Sequence, residues 1–262
     1  MNHFTIKDRE EVKNLLTLAL TAGIAMLKNG AETYRVEDTM NRICISRTNI
    51  KNVDSFVTQT GIFLTLEYEG EVFTYIRRVK DIGYNINKIS LINEFSRKFV
   101  STNISIDEGL RMLEEIDRFK DYSILVKLFG GSLLSGFFSL MFGGSFGDFL
   151  ASLIASILSL AILEKLSKYK LTFFIDRFVG AFLASVFSYL ALKVGIAHSL
   201  DNVIIGTIMP LVPGVSITNS IRDTMSGDSL SGLSKGVEAI LSALAISFGV
   251  GIILNFYTKG LI

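Results

Sequence analysis

Proline is nearly absent from this 262-residue chain, and its two copies, Pro210 and Pro213, fall in one apolar segment, 204–217 (IIGTIMPLVPGVSI). A single cysteine, Cys44, excludes an intramolecular disulfide and fits a reducing compartment. The two histidines, His3 and His198, are far apart, so no histidine metal site is expected. A net charge of +1 offers no basic surplus for nucleic acid, and no nucleic-acid partner is expected. The opening MNHFTIKDREEVKN lacks the basic-then-apolar pattern of a signal peptide. No nucleophile elbow, phosphate loop or metal-ligand spacing occurs, so the sequence supplies no catalytic residue, metal or cofactor, and enzyme activity is not expected.

What is abundant is apolar side chain: 49% of residues, with a mean hydropathy of +0.46. It is unevenly spread. Charge concentrates up to about residue 121, and long apolar runs dominate from Ser123 on. The shift predicts two domains: an α+β cytoplasmic domain over 1–121, and an all-α membrane domain of five transmembrane helices over 122–262.

Within 1–121, Val12, Leu15, Leu16, Ala19, Gly23, Met26 and Leu27 recur at helical spacing. The apolar core of that stretch, 15–27, is too short to span a bilayer, so a buried helix is expected. Asn29-Gly30 should end it, and a charge-rich second helix should run to about Arg47. Period-two patterning then predicts strands at 51–58, around Ile62, Leu64 and Leu66, and at 72–79, with Glu69-Gly70 as a turn. Two helices follow, the second opened by the capping sequence Ser105-Ile106-Asp107-Glu108, with Leu110 and Leu113 inward. Glu32, Arg35, Glu37 and Asp38 cluster, and paired carboxylates suit acid–base work. Their spacing equally fits a solvated helix face laced with ion pairs, the plainer expectation.

The apolar spans are expected at 123–142, 148–163, 173–193, 202–218 and 236–256. Arg118, Lys120, Lys127, Lys165, Lys168, Lys170, Arg177, Arg222 and Lys235 fall on one side of this alternation, and Lys193 almost alone on the other. The bias predicts a multi-pass protein of the cell inner membrane with its N-terminal domain cytoplasmic and its C-terminus outside. Small residues four apart (Ser132 and Gly136; Gly180, Ala184 and Ser188; Ala245 and Gly249) predict close helix packing, within one subunit or in a homo-oligomer.

The two prolines followed by Gly214 should break the fourth span, leaving carbonyls near Met209 and N–H groups after Gly214 unpaired. Opened backbone in a bilayer belongs where it lines protein or a cavity, and such breaks form transporter sites. Those N–H groups with Asn219 and Arg222 suit a carboxylate, while Asp223 could hold Arg222 or meet an ammonium. A kinked helix with an ordinary cap is the plainer alternative. Two acids are candidates for proton coupling: Glu238, just inside the fifth span with Lys235 as a conceivable partner, and Asp148, at the start of the second. For Asp148, a helix N-terminal role is equally open.

The stretches NGAETYRVEDTMNRI (29–43) and MPLVPGVSITNSIRDTMSGDSLSG (209–232) resemble the two hallmark segments of the threonine/serine exporter (ThrE/YjjP-type) family. The family pattern falls on Gly30, Ala31, Tyr34, Arg35 and Glu37, then on Pro210, Pro213, Gly214, Asn219, Asp223, Gly227 and Gly232. The resemblance implies a cytoplasmic domain followed by about five spans. It further implies proton-driven export of a small carboxylate metabolite: threonine, serine or a dicarboxylate such as succinate. Fused members continue into a second membrane domain, whereas this chain stops just after its fifth span. It therefore resembles the larger subunit of a two-component form that works with a separate small membrane subunit. Two other functions remain open on the residues alone: a regulatory subunit with a ligand-sensing domain, and a membrane-tethered hydrolase.

Overall fold

The computed structural model describes residues 5–80, 82–119, 122–169 and 171–261. His3, Lys120 and Lys170, used above, lie outside them. Residues group into two compact units: Met1–Lys120 with Val215–Gly236, and Asp121–Gly214 with Val237–Ile262.

The first unit opens with helix α1 (Arg9–Lys28), capped by the Asp8 carboxylate, which accepts from the Glu11 N–H. Val12, Leu15, Leu16, Leu18, Ala22 and Met26 are fully buried, so this apolar helix is the spine of a core and not a span. Gly30 then turns the chain at φ +86°, where any Cβ would also strike the Tyr84 ring. Helix α2 (Thr33–Ile45) follows. Strands β1 (Ile50–Thr58), β2 (Gly61–Tyr68) and β3 (Glu71–Arg78) form an antiparallel sheet in the order β1-β2-β3. Glu69 and Gly70, both at positive φ, make the two-residue hairpin expected of them. Ile62, Leu64 and Leu66 point into the core, and Phe63 and Ile76 point away from it. Helices α3 (Ile86–Ser101) and α4 (Ile106–Arg118) complete the layer. The Ser105 hydroxyl caps α4 by accepting from the Glu108 N–H, and Leu113 is buried with Leu110 packed beside it.

The second unit contains α5 (Ile124–Met141), α6 (Phe146–Leu166), α7 (Phe173–Lys193) and α8 (Leu200–Ile208). A 3-10 turn over Met209–Leu211 leads to α9 (Gly214–Met225), and α10 (Ser229–Thr258) closes the chain. By length and composition α5, α6, α7 and α10 can each cross a membrane, and α8 with its 3-10 turn plus α9 is a fifth span if the bent pair counts as one. The buried residues of α5, α6 and α7 are mostly small: Ser132, Ser135 and Ser139; Ala151, Ser152, Ala155, Ser156 and Ser159; Gly180, Ala181, Ala184, Ser185 and Ser188. Leu125, Phe129, Phe137 and Ile154 are exposed. A water-soluble bundle does the reverse; in lipid, close approach of small side chains holds helices together. The Ser135 hydroxyl donates to that of Ser156 at 2.9 Å, joining α5 to α6. Gly180 and Gly249, expected as packing positions, meet Leu163 and Leu211 and the Phe178 carbonyl respectively, all within the same unit.

Candidate functional site

The break in the fourth span follows from local chemistry. Helix α8 stops at Ile208, Pro210 sits in the 3-10 turn, and Val212 is extended, as a residue before proline should be. Helix α9 restarts at Gly214, bent by 57° from the preceding segment. This matches the expected stop near Met209 and restart after Gly214.

Beyond the break α9 is inverted. Its polar residues Ser216, Asn219 and Asp223 share one buried stripe, while Ile217, Ile221 and Met225 are exposed. The stripe meets the other hallmark segment inside the first unit. The Asn219 amide donates to the Gly30 carbonyl at 2.9 Å. Asp223 accepts from the Thr33 N–H at 3.1 Å, and the Asp228 carboxylate accepts from the Thr33 hydroxyl at 3.1 Å. Thr33 opens α2, and the preceding residue, Glu32, provides no side-chain cap. Asp223, 190 residues away in sequence, is the acid that caps this helix.

The charges pair differently from expectation. Arg222 does not meet Asp223: its guanidinium donates to Glu32 at 2.6 Å, and Arg35 donates to the second Glu32 oxygen at 3.2 Å. Asp223 takes Lys235, whose ammonium lies 2.7 Å from its carboxylate and 3.4 Å from the Ala31 carbonyl. Two members of the presumed solvated cluster are also not solvated. Glu32 is 5% exposed, and Glu37 is half-buried and accepts from the Val57 N–H at 2.8 Å. Asp38, paired with Arg42, does keep to the exposed face, and Tyr34 is exposed. Burial alone would raise the Glu32 carboxyl, but its backbone hydrogen bond, Arg222 and Arg35 hold it below the ordinary carboxylate value. Burial raises Glu37, the Val57 N–H offsets part of that, and Asp228, Asp54 and Asp223 add to the rise.

Asp148 is 1% exposed and spends both oxygens on local structure. One accepts from the Ser145 N–H and hydroxyl, closing a capping box on α6. The other accepts from the His198 and Ser199 N–H groups at 2.7 and 2.9 Å. Glu238 is half-buried on α10, one turn beyond Lys235. Among the described residues no three His, Cys, Asp or Glu side chains converge as a metal would require.

Sequence reasoning missed Thr33 and Asp228, named Lys235 only as a partner for Glu238 and not for Asp223, and treated Glu32 as surface. The available signal was Lys235: a lone cation at the edge of an apolar run is an obvious partner for an acid elsewhere.

The family model described as "Putative threonine/serine exporter" matches residues 17–257. The chain is 23% identical to the "Probable succinate transporter subunit YjjP" of Klebsiella aerogenes, over 93% of this chain and 94% of that one. It is 23% identical to the Escherichia coli protein of the same name, over 95% and 96% respectively. It is 22% identical to the "Threonine/serine exporter" of Corynebacterium glutamicum over 94% of this chain and 52% of that one, so it spans about half that relative's length. No solved structure matches. The family consists of exporters, not enzymes, which sets aside the tethered hydrolase. By the extent of its family match and its apolar helices, this multi-pass membrane protein belongs to the threonine/serine exporter family.

Proposed function

We propose that the chain is the larger subunit of a secondary-active exporter of a small carboxylate metabolite, an amino acid such as threonine or serine or a dicarboxylate such as succinate. The observation that carries this reading is the broken fourth span, bent by 57° at Pro210–Gly214. Interrupted membrane helices of this kind line solute sites in transporters, which unbroken helices facing lipid do not. The relatives' names supply both substrate classes, and "subunit" in two of them supports a small membrane partner.

In this reading 1–121 is a cytoplasmic domain, onto which residues 215–236 pack, and the rest of 122–262 is a five-span membrane domain with the C-terminus outside, as the basic residues argue. Pro210, Pro213, Gly214, Asn219, Arg222 and Asp223 belong to the substrate pathway: the first three as the break, the last three by holding α9 against the Tyr34–Arg35–Glu37 signature helix. Glu238, half-buried just inside the apolar fifth span, is the residue assigned to proton coupling. Asp148, with four hydrogen-bond donors on its two oxygens, serves as an anchor.

The test is efflux from vesicles preloaded with threonine and succinate, with and without a small membrane subunit of the same family, under an imposed proton gradient. Gradient-dependent loss of one solute is expected. No efflux of either in any combination would sink the reading.

A further inference from the structure

The second unit contains a cavity of about 320 Å³ whose walls hold Lys127, Glu164, Asp176 and Arg177 beside Pro210 and Leu211. That volume is at the lower end for ligand pockets and suits a small metabolite. Lys127 comes from the first turns of α5, Glu164 from the last turns of α6, and Asp176 and Arg177 from the start of α7. The fourth wall is the 3-10 turn of the broken span. In the orientation proposed above, this is the cytoplasmic end of the unit.

The four charges cancel, and two of them are already spoken for. Asp176 and Arg177 pair at 3.8 Å. Among the described residues neither Lys127 nor Glu164 forms an ion pair, which leaves one cation and one anion in the wall. A dianion entering the cavity meets two carboxylates, and a simple cation meets an ammonium and a guanidinium. A solute with one carboxylate and one ammonium finds a counter-charge for each.

We propose that this cavity is the entry site of the pathway and binds a small zwitterion, carboxylate toward Lys127 and ammonium toward Glu164. The proposal rests on the exporter reading and narrows it, favouring an α-amino acid over a diacid. A zwitterionic lipid headgroup carries the same chemistry, so the test separates the two sources.

Binding of labelled threonine is measured on the purified full chain in phosphatidylcholine nanodiscs. Threoninamide, N-acetylthreonine, succinate and glycerophosphoethanolamine serve as competitors. Threonine should bind, and threoninamide, N-acetylthreonine and succinate should each be at least roughly 10-fold weaker, as expected when a charge-assisted bond is lost. Glycerophosphoethanolamine, which keeps both charges, should be weaker because the cavity fits a free amino acid and not a headgroup. Lys127→Gln should weaken threonine by roughly 10- to 100-fold and Lys127→Arg should restore it. Glu164→Gln should weaken threonine while narrowing its advantage over N-acetylthreonine, a change that mere misfolding does not produce. Absent threonine binding, or affinity unchanged in both Lys127→Gln and Glu164→Gln, overturns the cavity assignment. Succinate binding more tightly than threonine overturns the zwitterion, and glycerophosphoethanolamine displacing threonine overturns the free metabolite in favour of lipid. Flux of the same variants reconstituted in sealed proteoliposomes, with the small membrane subunit, keeps the two readings apart. Threonine binding without any flux counts against the exporter alone, and flux with variant-insensitive binding counts against the cavity alone.

Discussion

The Asp223 carboxylate, with no exposed surface, holds the Lys235 ammonium at 2.7 Å while its other oxygen caps helix α2 at Thr33. One side chain thus ties three separated pieces of sequence together inside the first unit. Removing either partner leaves a buried charge uncompensated, which costs about 3–5 kcal/mol. Asp223→Ala and Lys235→Ala should each lower the thermal midpoint of the purified chain markedly. The double replacement Asp223→Ala with Lys235→Ala should cost less than the sum of the two. Strict additivity in that double-mutant cycle would show that the pair is not coupled.

Acid sensitivity divides Glu32 from Glu37. The folded state holds Glu32 below its ordinary value, so its contribution is present at neutral pH and is lost as pH falls through that lowered value. Glu37 is raised, so its contribution is present in acid and is lost as pH rises through the raised value. Glu32→Gln should therefore destabilise at pH 7 and converge on the parent in acid. Glu37→Gln, which keeps an oxygen for the Val57 N–H, should be neutral or stabilising at pH 7. Unfolding midpoints against pH decide both.

Two glycines of the second hallmark segment should respond oppositely to alanine. A Cβ on Gly214 meets nothing within 4 Å, whereas one on Gly232 would overlap the Thr224 hydroxyl oxygen and lie 2.9 Å from the Ser220 carbonyl. Gly214→Ala should leave folding intact, so any loss of flux reports the break itself. Gly232→Ala should destabilise by about 1–3 kcal/mol, as overpacking does, visible as faster proteolysis of the folded chain.

Straightening the broken span is a separate question. Replacing proline at a tolerant site changes stability by under about 1 kcal/mol. Pro213→Ala should leave the thermal midpoint within a few degrees and lower efflux severalfold. Full efflux from Pro210→Ala and Pro213→Ala together would remove the break from the pathway.

Asp148→Asn should lose the capping box and weaken the tie to the 198–199 backbone, costing about 1–2 kcal/mol. The slope of efflux against the proton gradient should not change. The same assay on Glu238→Gln should flatten that slope. If Asp148→Asn flattens it and Glu238→Gln does not, the two roles are reversed.

Much of the fold was legible because its signals are local. Period-two runs marked β2 and β3, a serine three residues before a glutamate marked α4, and two prolines with a glycine marked the break between Ile208 and Gly214. Pairings between distant segments were not legible. Arg222 and Asp223 are sequence neighbours, which suggested a pair, yet adjacent residues on a helix point about 100° apart. Each instead finds its counter-charge elsewhere, Glu32 and Lys235 respectively. The stripe Ser216–Asn219–Asp223 carried a helical period, but it runs against the hydrophobic rule, since the polar side faces in. Likewise Glu32 looks solvated by composition, and its burial relies on Arg222, 190 residues on, as well as on nearby Arg35.

The spans are unequal, and bilayer thickness makes that consequential. Helix α5 has 18 residues and α10 has 30, about 27 Å and about 45 Å of helix against a hydrocarbon slab of about 30 Å. The short helix pulls the slab thinner beside it, while roughly ten residues of the long one stand clear or tilt. Acyl-chain length in the surrounding lipid therefore acts on this protein directly, with thin bilayers relieving the strain at α5 and thick ones imposing it.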